Sequence, residues 1–520
     1  MNNDQENKIH HFAFSKLSYK WLFAILFLLI YSNIYAANTE DSLNNAKSFI
    51  VSGKYKKAEK LLSALHTSHP DDLNILWLYA QSAYWAKHYK IFNAAYTEAM
   101  KKFPDNYYLK LDYGLKLVEN GDIEKALPLL EIYKRYDSGN TDLKLAFAKI
   151  QYWQGNYDEA LQTLSYIPLD NEKSSEALQL KYEILTAKSP WAKLNCTYLS
   201  DDQPLQAISP KLEVGRFFNS NFSPYVSIAT PAFMLPTASK FANSISIGNK
   251  FNFFKSGVAV NVNGGFIQMP DKTNSWTGNV ELSKTTFKYL QLQAQATYQP
   301  YLITLSSIDT AVVPYQYSVG VGWNNQNAWN GKVIGNINQF SSDKNYVYAI
   351  GGWVFAPPLK FSAFKLRLGY AYGYSSSKEN RFAAKSSLQE ILANYDPENT
   401  SIKGIYNPYF TPTNQSVHSG IFNISYNPRK KLAIGANANL CFIGTTHNPY
   451  LFLDKNTQGE TYIDRGYSTV NFYPKEISAF VFFQLTNKLS VKADYTFLQN
   501  NFYTSHTAGL TLKASFWNEK

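Results

Sequence analysis

From Trp191 to Phe516 the apolar and polar side chains take turns along the chain. Over residues 488–498, Leu489, Val491, Ala493, Tyr495 and Phe497 alternate with Ser490, Lys492, Asp494 and Thr496, a period of two that gives a strand one apolar and one wet face. Leu290, Leu292, Ala294, Ala296 and Tyr298 stand against Gln291, Gln293, Gln295 and Thr297 in the same way. Leu366, Leu368, Tyr370, Tyr372 and Tyr374 stand against Lys365, Arg367, Gly369, Ala371 and Gly373. About sixteen such runs are expected, centred near residues 195, 213, 227, 247, 261, 280, 294, 318, 333, 349, 369, 421, 436, 480, 493 and 511.

Connection lengths order these runs. Phe254-Lys255-Ser256-Gly257, Thr286-Phe287-Lys288, Asn427-Pro428-Arg429-Lys430-Lys431 and Thr486-Asn487-Lys488 are tight links from an even strand to an odd one. The two long connections, roughly 376–416 and 443–474, both join an odd strand to an even one. An even number of strands with short turns at one end and long loops at the other is the pattern of an outer-membrane barrel. A soluble β-sandwich also alternates. The aromatic fraction of 16 %, with 39 Tyr, many near strand ends, favours the barrel. The wet side chains then face a lumen, and Glu281, Lys365, Arg367, Lys492, Asp494 and Lys513 are the charged positions that parity places there.

Before the strands the period changes to that of helices, and a longer repeat appears. Gly53, Gly121 and Gly155 are spaced by multiples of 34, with Lys87 in the missing place. Pro70-Asp71 recurs as Pro104-Asp105 at the same interval. A 34-residue period with a Gly turn, a following aromatic, a small Ala and a closing Pro resembles the tetratricopeptide repeat. About four repeats and a last helix over roughly 174–188 are expected to form a solenoid across residues 38–188. Ser189-Pro190-Trp191 ends that helix, since Pro cannot continue it, and the barrel occupies 191–517.

Trp21 to Ile30 is a continuous apolar run of about ten residues, too short to span a bilayer as a helix. With Lys8, Lys16 and Lys20 before it and Ala36-Ala37 after it, it reads as an export signal over residues 1–36. Ile34 is not the ideal small residue before the cut, which leaves an uncleaved anchor as the alternative. The two cysteines, Cys196 and Cys441, are expected to be independent of each other. Of the net charge of +11, residues 38–190 contribute 19 basic against 20 acidic side chains, and residues 191–520 contribute 28 against 17. The excess therefore belongs to the barrel. Without a helical basic face it does not indicate nucleic acid; a basic lumen or basic rims beside lipid phosphates fit it better.

The chain shows little catalytic chemistry. His66 and His69 read as surface helix residues, and no His is spaced with Cys or carboxylates as a metal set is. His418 and His506 fall in strands, yet no Ser near them carries a nucleophile motif. An enzyme is not expected, nor a cofactor.

The segment Tyr406-Asn407-Pro408-Tyr409-Phe410-Thr411-Pro412 lies in the first long loop. With the strand after it, it resembles a Tyr-Phe-x-Pro stretch in the barrel of cellulose synthase operon protein C, so Tyr406, Pro408, Tyr409, Phe410 and Pro412 are singled out as an outer-loop motif. Signal, tetratricopeptide repeats and a barrel of about sixteen strands together resemble the exopolysaccharide export porins, which include that protein and the poly-N-acetylglucosamine porin. Those porins carry many more repeats. The short solenoid is also similar to YaiO-family outer-membrane barrels. The first resemblance implies passage of a polysaccharide, neutral or acidic by the charge of the barrel, across an outer membrane. It further implies repeats in the periplasm that meet glycan synthesis or modification proteins. The second implies an anchored scaffold with a closed barrel.

Overall fold

In the computed structural model, residues 39–518 are described apart from 169, 220, 237, 288, 326, 395–401, 430 and 501–502. The expected export signal lies outside them.

The helical half keeps its 34-residue register. Helices α1 (39–51), α3 (Leu73–Trp85), α5 (Tyr107–Asn120) and α7 (Thr141–Trp153) are each followed by a partner, α2 (Tyr55–Ser68), α4 (Tyr89–Lys102), α6 (Ile123–Tyr136) and α8 (Tyr157–Ser165). The turn inside each pair is left-handed, at Gly53, Lys87, Gly121 and Gly155, with φ between 65° and 81°. Lys87 adopts this conformation although it has a Cβ, because the repeat geometry imposes it. Asp72, Asn106 and Asn140 accept backbone N–H groups at the starts of α3, α5 and α7, which satisfies donors a helix leaves open. Between repeats Phe92, Tyr96 and Tyr113 pack face and edge, and Tyr96, Trp77 and Gln81 all donate to Asp112.

The chain forms two compact units, one up to Ile150 and one from Gln151. The second unit holds α8 and α9 (Ser174–Lys188) together with the barrel. The sequence boundary at Ser189 thus lies two helices beyond the packing boundary. The reason is aromatic: Tyr157 of α8 packs on Phe217 and Phe254 at 4.7 and 6.4 Å between ring centroids, and Tyr182 of α9 stacks on Trp517 at 5.5 Å. A Cβ on Gly155 would overlap the Phe254 ring.

Sixteen antiparallel strands close into a ring. They are β1 (Pro190–Asp201), β2 (Gln206–Arg216), β3 (Pro224–Ala229), β4 (Asn243–Phe253), β5 (Val258–Gln268), β6 (Asn274–Thr286), β7 (Leu290–Tyr298) and β8 (Tyr315–Trp323), then β9 (Asn330–Phe340), β10 (Asn345–Phe355), β11 (Phe364–Ser377), β12 (Gln415–Arg429), β13 (Leu432–Lys455), β14 (Lys475–Gln484), β15 (Leu489–Gln499) and β16 (Thr504–Ser515). Each pairs with its neighbours in sequence, and β16 pairs with β1 from Trp191↔Ser515 to Asp201↔Ser505. Closure leaves no unpaired edge.

The strand runs read from the sequence correspond to β1–β16 one for one. The second long connection is not a loop throughout. β13 runs on past the wall, and its residues Thr445–Lys455 pair with Thr461–Asn471 as a projecting hairpin.

On one face of the wall large apolar side chains are exposed in strand after strand, for example Ile208, Leu212 and Val214, then Ile245 and Ile247, then Val319 and Val321. A surface of that extent belongs against lipid. Tyr198, Tyr315, Tyr317, Tyr346, Tyr348 and Tyr372 lie on it toward the loop end, while Trp323, Phe364, Phe483 and Phe516 lie toward the tight-turn end.

Candidate functional site

The registers pass the opposite face unbroken around the ring. Lys513 is opposite Lys193, Lys193 opposite Glu213, and Glu213 opposite Ser227. Asn261 is opposite Glu281, Glu281 opposite Gln295, and Gln295 opposite Ser318. Arg367 pairs with Asn423 and Lys365 with Ser425, while Lys492 and Asp494 lie opposite Thr511 and Gly509. The six charged positions singled out by parity therefore lie on one face, the one turned from the exposed apolar belt. They do not all meet: Lys492 and Asp494 of β15 lie beside Lys513 of β16, while Lys365 and Arg367 belong to β11, five strands away. Lys492 pairs with Asp494 at 3.0 Å.

Much of this face is amide and hydroxyl. Asn263, Asn279, Gln295, Thr297, Gln316, Ser318, Asn336 and Asn338 line a cavity of about 630 Å³. They bond among themselves: the amide of Gln295 and the hydroxyl of Thr297 both donate to Asn279 Oδ1, at 2.9 and 2.8 Å. Tyr225 lies across Gly248, where a Cβ would strike its ring, and its hydroxyl donates to Asn261 and accepts from Asn263. On the other wall Asn423 donates to Asn437 and Asn437 to Ser478, beside a smaller pocket of about 190 Å³ that includes Trp353 and Glu476.

The two ends differ. At the tight-turn end, α9 and the strand ends border a vestibule of about 1090 Å³ lined by Tyr182, Glu183, Trp191, Lys193, Glu213, Lys250, Lys431 and Lys513. Glu213 pairs with Lys193 at 3.3 Å and Lys211 at 3.0 Å, and the Lys250 ammonium lies about 5.5 Å from the ring centres of Trp191 and Tyr225. At the loop end, residues 299–314 fold inward around the short helix α10 (Leu305–Asp309). Ile308, fully buried, joins Leu205, Ala207, Phe233, Ile267 and Met269 in one apolar cluster, with Leu199, Leu302, Leu305 and Val313 against it. Leu199, Ala207 and Ile267 belong to the lumen face of β1, β2 and β5, so α10 packs against the inside of the wall on that side of the loop end.

The loop 378–414 packs on this segment. Tyr409 is fully buried, stacked on Phe340 at 3.4 Å, and its hydroxyl donates to Asp343 at 2.6 Å. Burial first, then the Asp343 carboxylate, pushes its pKa up to about 12. Thr304 donates to the Pro408 carbonyl, and Tyr301 packs edge-on to Tyr409. The Pro412 carbonyl accepts from Ser377 N and Oγ. Tyr406 packs on Phe410 and Phe382, and Arg465 of the projecting hairpin donates to the carbonyls of Asn380 and Phe382. The five motif residues are thus the clamp of this loop.

His418 and His506 lie on the membrane face. Each accepts or donates at 2.6 Å to a tyrosine, Tyr370 and Tyr495 respectively. Cys196 lies on that same face and Cys441 on the lumen face, and both are free.

Parity along the strands does not single out Lys250, Trp191, Trp353 or the α10 cluster. Lys250 and Trp191 were within reach of the strand alternation. That cluster has one signal in the sequence, a loop as apolar as Leu302, Leu305, Ile308, Val312 and Val313.

Residues 117–184 match the family model of the tetratricopeptide repeat. No curated protein matches the chain. Among solved structures, the chain is similar to a bacterial polysaccharide outer membrane secretin, at 7 % identity and TM-score 0.45, over 64 % of this chain and 99 % of that one. It is also similar to the outer membrane protein opdK from Pseudomonas aeruginosa, at 9 % identity and TM-score 0.32, over 63 % and 99 %. A tetratricopeptide repeat protein from Parabacteroides merdae is similar at 15 % identity and TM-score 0.26, over 28 % and 57 %. The chain joins tetratricopeptide repeats to a sixteen-stranded closed barrel of the outer-membrane type.

Proposed function

We propose that this protein is an outer-membrane conduit for a polysaccharide, with the tight-turn end and the repeats in the periplasm, where the repeats dock synthesis or modification partners. The lumen wall carries the reading. Its Asn, Gln, Ser and Thr side chains are already paired with one another, so a sugar hydroxyl can exchange into those bonds without being held tightly. A conduit needs that weak, repeated contact. The loop end is its gate.

The apolar seal around Ile308 favours a second reading, an anchored scaffold whose barrel stays shut. Planar-bilayer conductance separates the two. Removal of residues 300–313 opens a steady pore that neutral oligosaccharides enter and block if the barrel is a conduit. A barrel that stays silent after this removal, together with unchanged glycan export in cells lacking the protein, sinks the conduit and leaves the scaffold.

A further inference from the structure

The vestibule at the tight-turn end has more positive charge than its own carboxylates answer. Lys193 and Lys513 lie directly opposite each other across β1 and β16, a like-charge pairing that costs stability in a sheet. Lys250 and Lys431 join them around the same space. Glu213 is shared by Lys193 and Lys211, and Glu183 is the other acid in the lining. Among the described residues, the ion pairs here run from Lys193 and Lys211 to Glu213 and from Lys492 to Asp494, and Lys250 and Lys513 have none. Lys250 rests instead between the rings of Trp191 and Tyr225, a contact it can trade for a stronger one with an anion.

We propose that this vestibule is a binding site for the carboxylate-bearing sugars of an acidic polysaccharide, with Lys250 and Lys513 taking the carboxylate beside the Trp191 ring. The proposal rests on the conduit reading and narrows its cargo. The choice of a glycan over other anions follows from what adjoins the lysines. Lys211, bonded to Glu213 in this cluster, also lines the amide-walled cavity of Asn263, Asn279 and Gln295. A ligand passing from one to the other needs both carboxylates and hydroxyls along its length. A uronate polymer has both.

The test uses the full chain in detergent, titrated calorimetrically with a hexamer of galacturonate and with maltohexaose as the neutral probe of equal length, alongside current block in the variant lacking 300–313. The galacturonate hexamer is expected to bind at least tenfold more tightly than maltohexaose, and the preference to shrink as salt rises. K250Q/K513Q is expected to lose about tenfold for the acidic probe only, and K250R/K513R to keep it. Equal binding of both probes, or an unchanged K250Q/K513Q, overturns the acidic site while block by maltohexaose leaves the conduit standing. Competition by inorganic sulfate at the same concentration as the hexamer also overturns it, since the site is then one for simple anions. If neither oligosaccharide blocks the opened pore, the conduit itself has failed.

Discussion

The two ends of one barrel solve opposite problems with the same alternating strands. At the tight-turn end, Lys193, Glu213, Lys250 and Lys513 keep the lumen face charged up to its rim, and α9 stands beside the opening, held by Tyr182 on Trp517 and by Thr186 donating to the Asn487 carbonyl at 3.3 Å. At the loop end the same lumen face turns apolar, at Leu199, Ala207 and Ile267, where Ile308 is seated. One mouth is lined by charge, while the other carries an apolar cluster on one side of its wall. On the conduit reading, any closure of the barrel belongs to one segment at the loop end, residues 299–314, rather than to the wall.

The strongest way to break this contrast is to remove that segment. Joining Gln299 to Pro314 through a short Gly-Ser turn is expected to raise single-channel conductance about tenfold, while the thermal stability of the barrel, set by its ladders, stays close to that of the parent. No rise in current means that the wall itself is shut.

A smaller change acts on the clamp behind the seal. Tyr409→Ala removes a buried aromatic, a loss of about 3 kcal/mol, and is expected to loosen loop 378–414. Protease cutting within that loop and intermittent openings are the readouts. Alkali reaches the same clamp. Burial first, then the Asp343 carboxylate, pushes Tyr409 up to about 12, and burial pushes Tyr301 up to about 12, from an ordinary value of 10.0. A raised tyrosine holds its proton in the closed loop and releases it sooner in the open one. Its stabilisation is therefore full below pH 10 and is lost as pH rises toward 12. Openings should increase across that window in the parent and not in the Y301F/Y409F double variant.

At the other mouth the effect is milder. Tyr182→Ala breaks one stacked pair, about 1 kcal/mol beyond the area lost, and Trp517 retains the Lys488 ammonium over its ring at 4.4 Å. Cleavage between α9 and β1 should become faster with conductance unchanged. A change in conductance instead would make α9 part of the closure and erase the contrast between the ends.

What the sequence disclosed of all this follows from distance along the chain. Alternation and turn length are local, so β1–β16 and the face of Lys365, Arg367 and Lys492 could be read directly. The 34-residue repeat placed Lys87 where the other units have Gly, and its backbone is left-handed there as theirs is. Contacts made across the ring left no such trace. Ile308 meets Leu205 and Ala207 about a hundred residues away, and Tyr157 and Tyr182 look like any other helical tyrosines until Phe217, Phe254 and Trp517 arrive beside them. Phe480 and Phe482 hid for another reason. They lie in the register opposite Asp494 and Lys492, on the lumen face, but Val481 and Phe483 make the other face apolar too, so the second half of β14 has no alternation to read.

The finest probe of the contrast changes neither end. Cys196 lies on the membrane face between Pro210 and Leu510, and Cys441 on the lumen face opposite Ser419 near the loop end. A charged, water-soluble maleimide reaches a thiol only through water. In detergent micelles Cys441 is expected to react slowly in the parent and several-fold faster once residues 300–313 are gone, while Cys196 stays protected in both. Equal rates for Cys441 before and after the excision would mean that water already reaches the lumen from the vestibule as freely as through an open loop end. In that case the seal at Ile308 blocks bulky cargo alone, and the gate is a sieve for polymers rather than a barrier to ions.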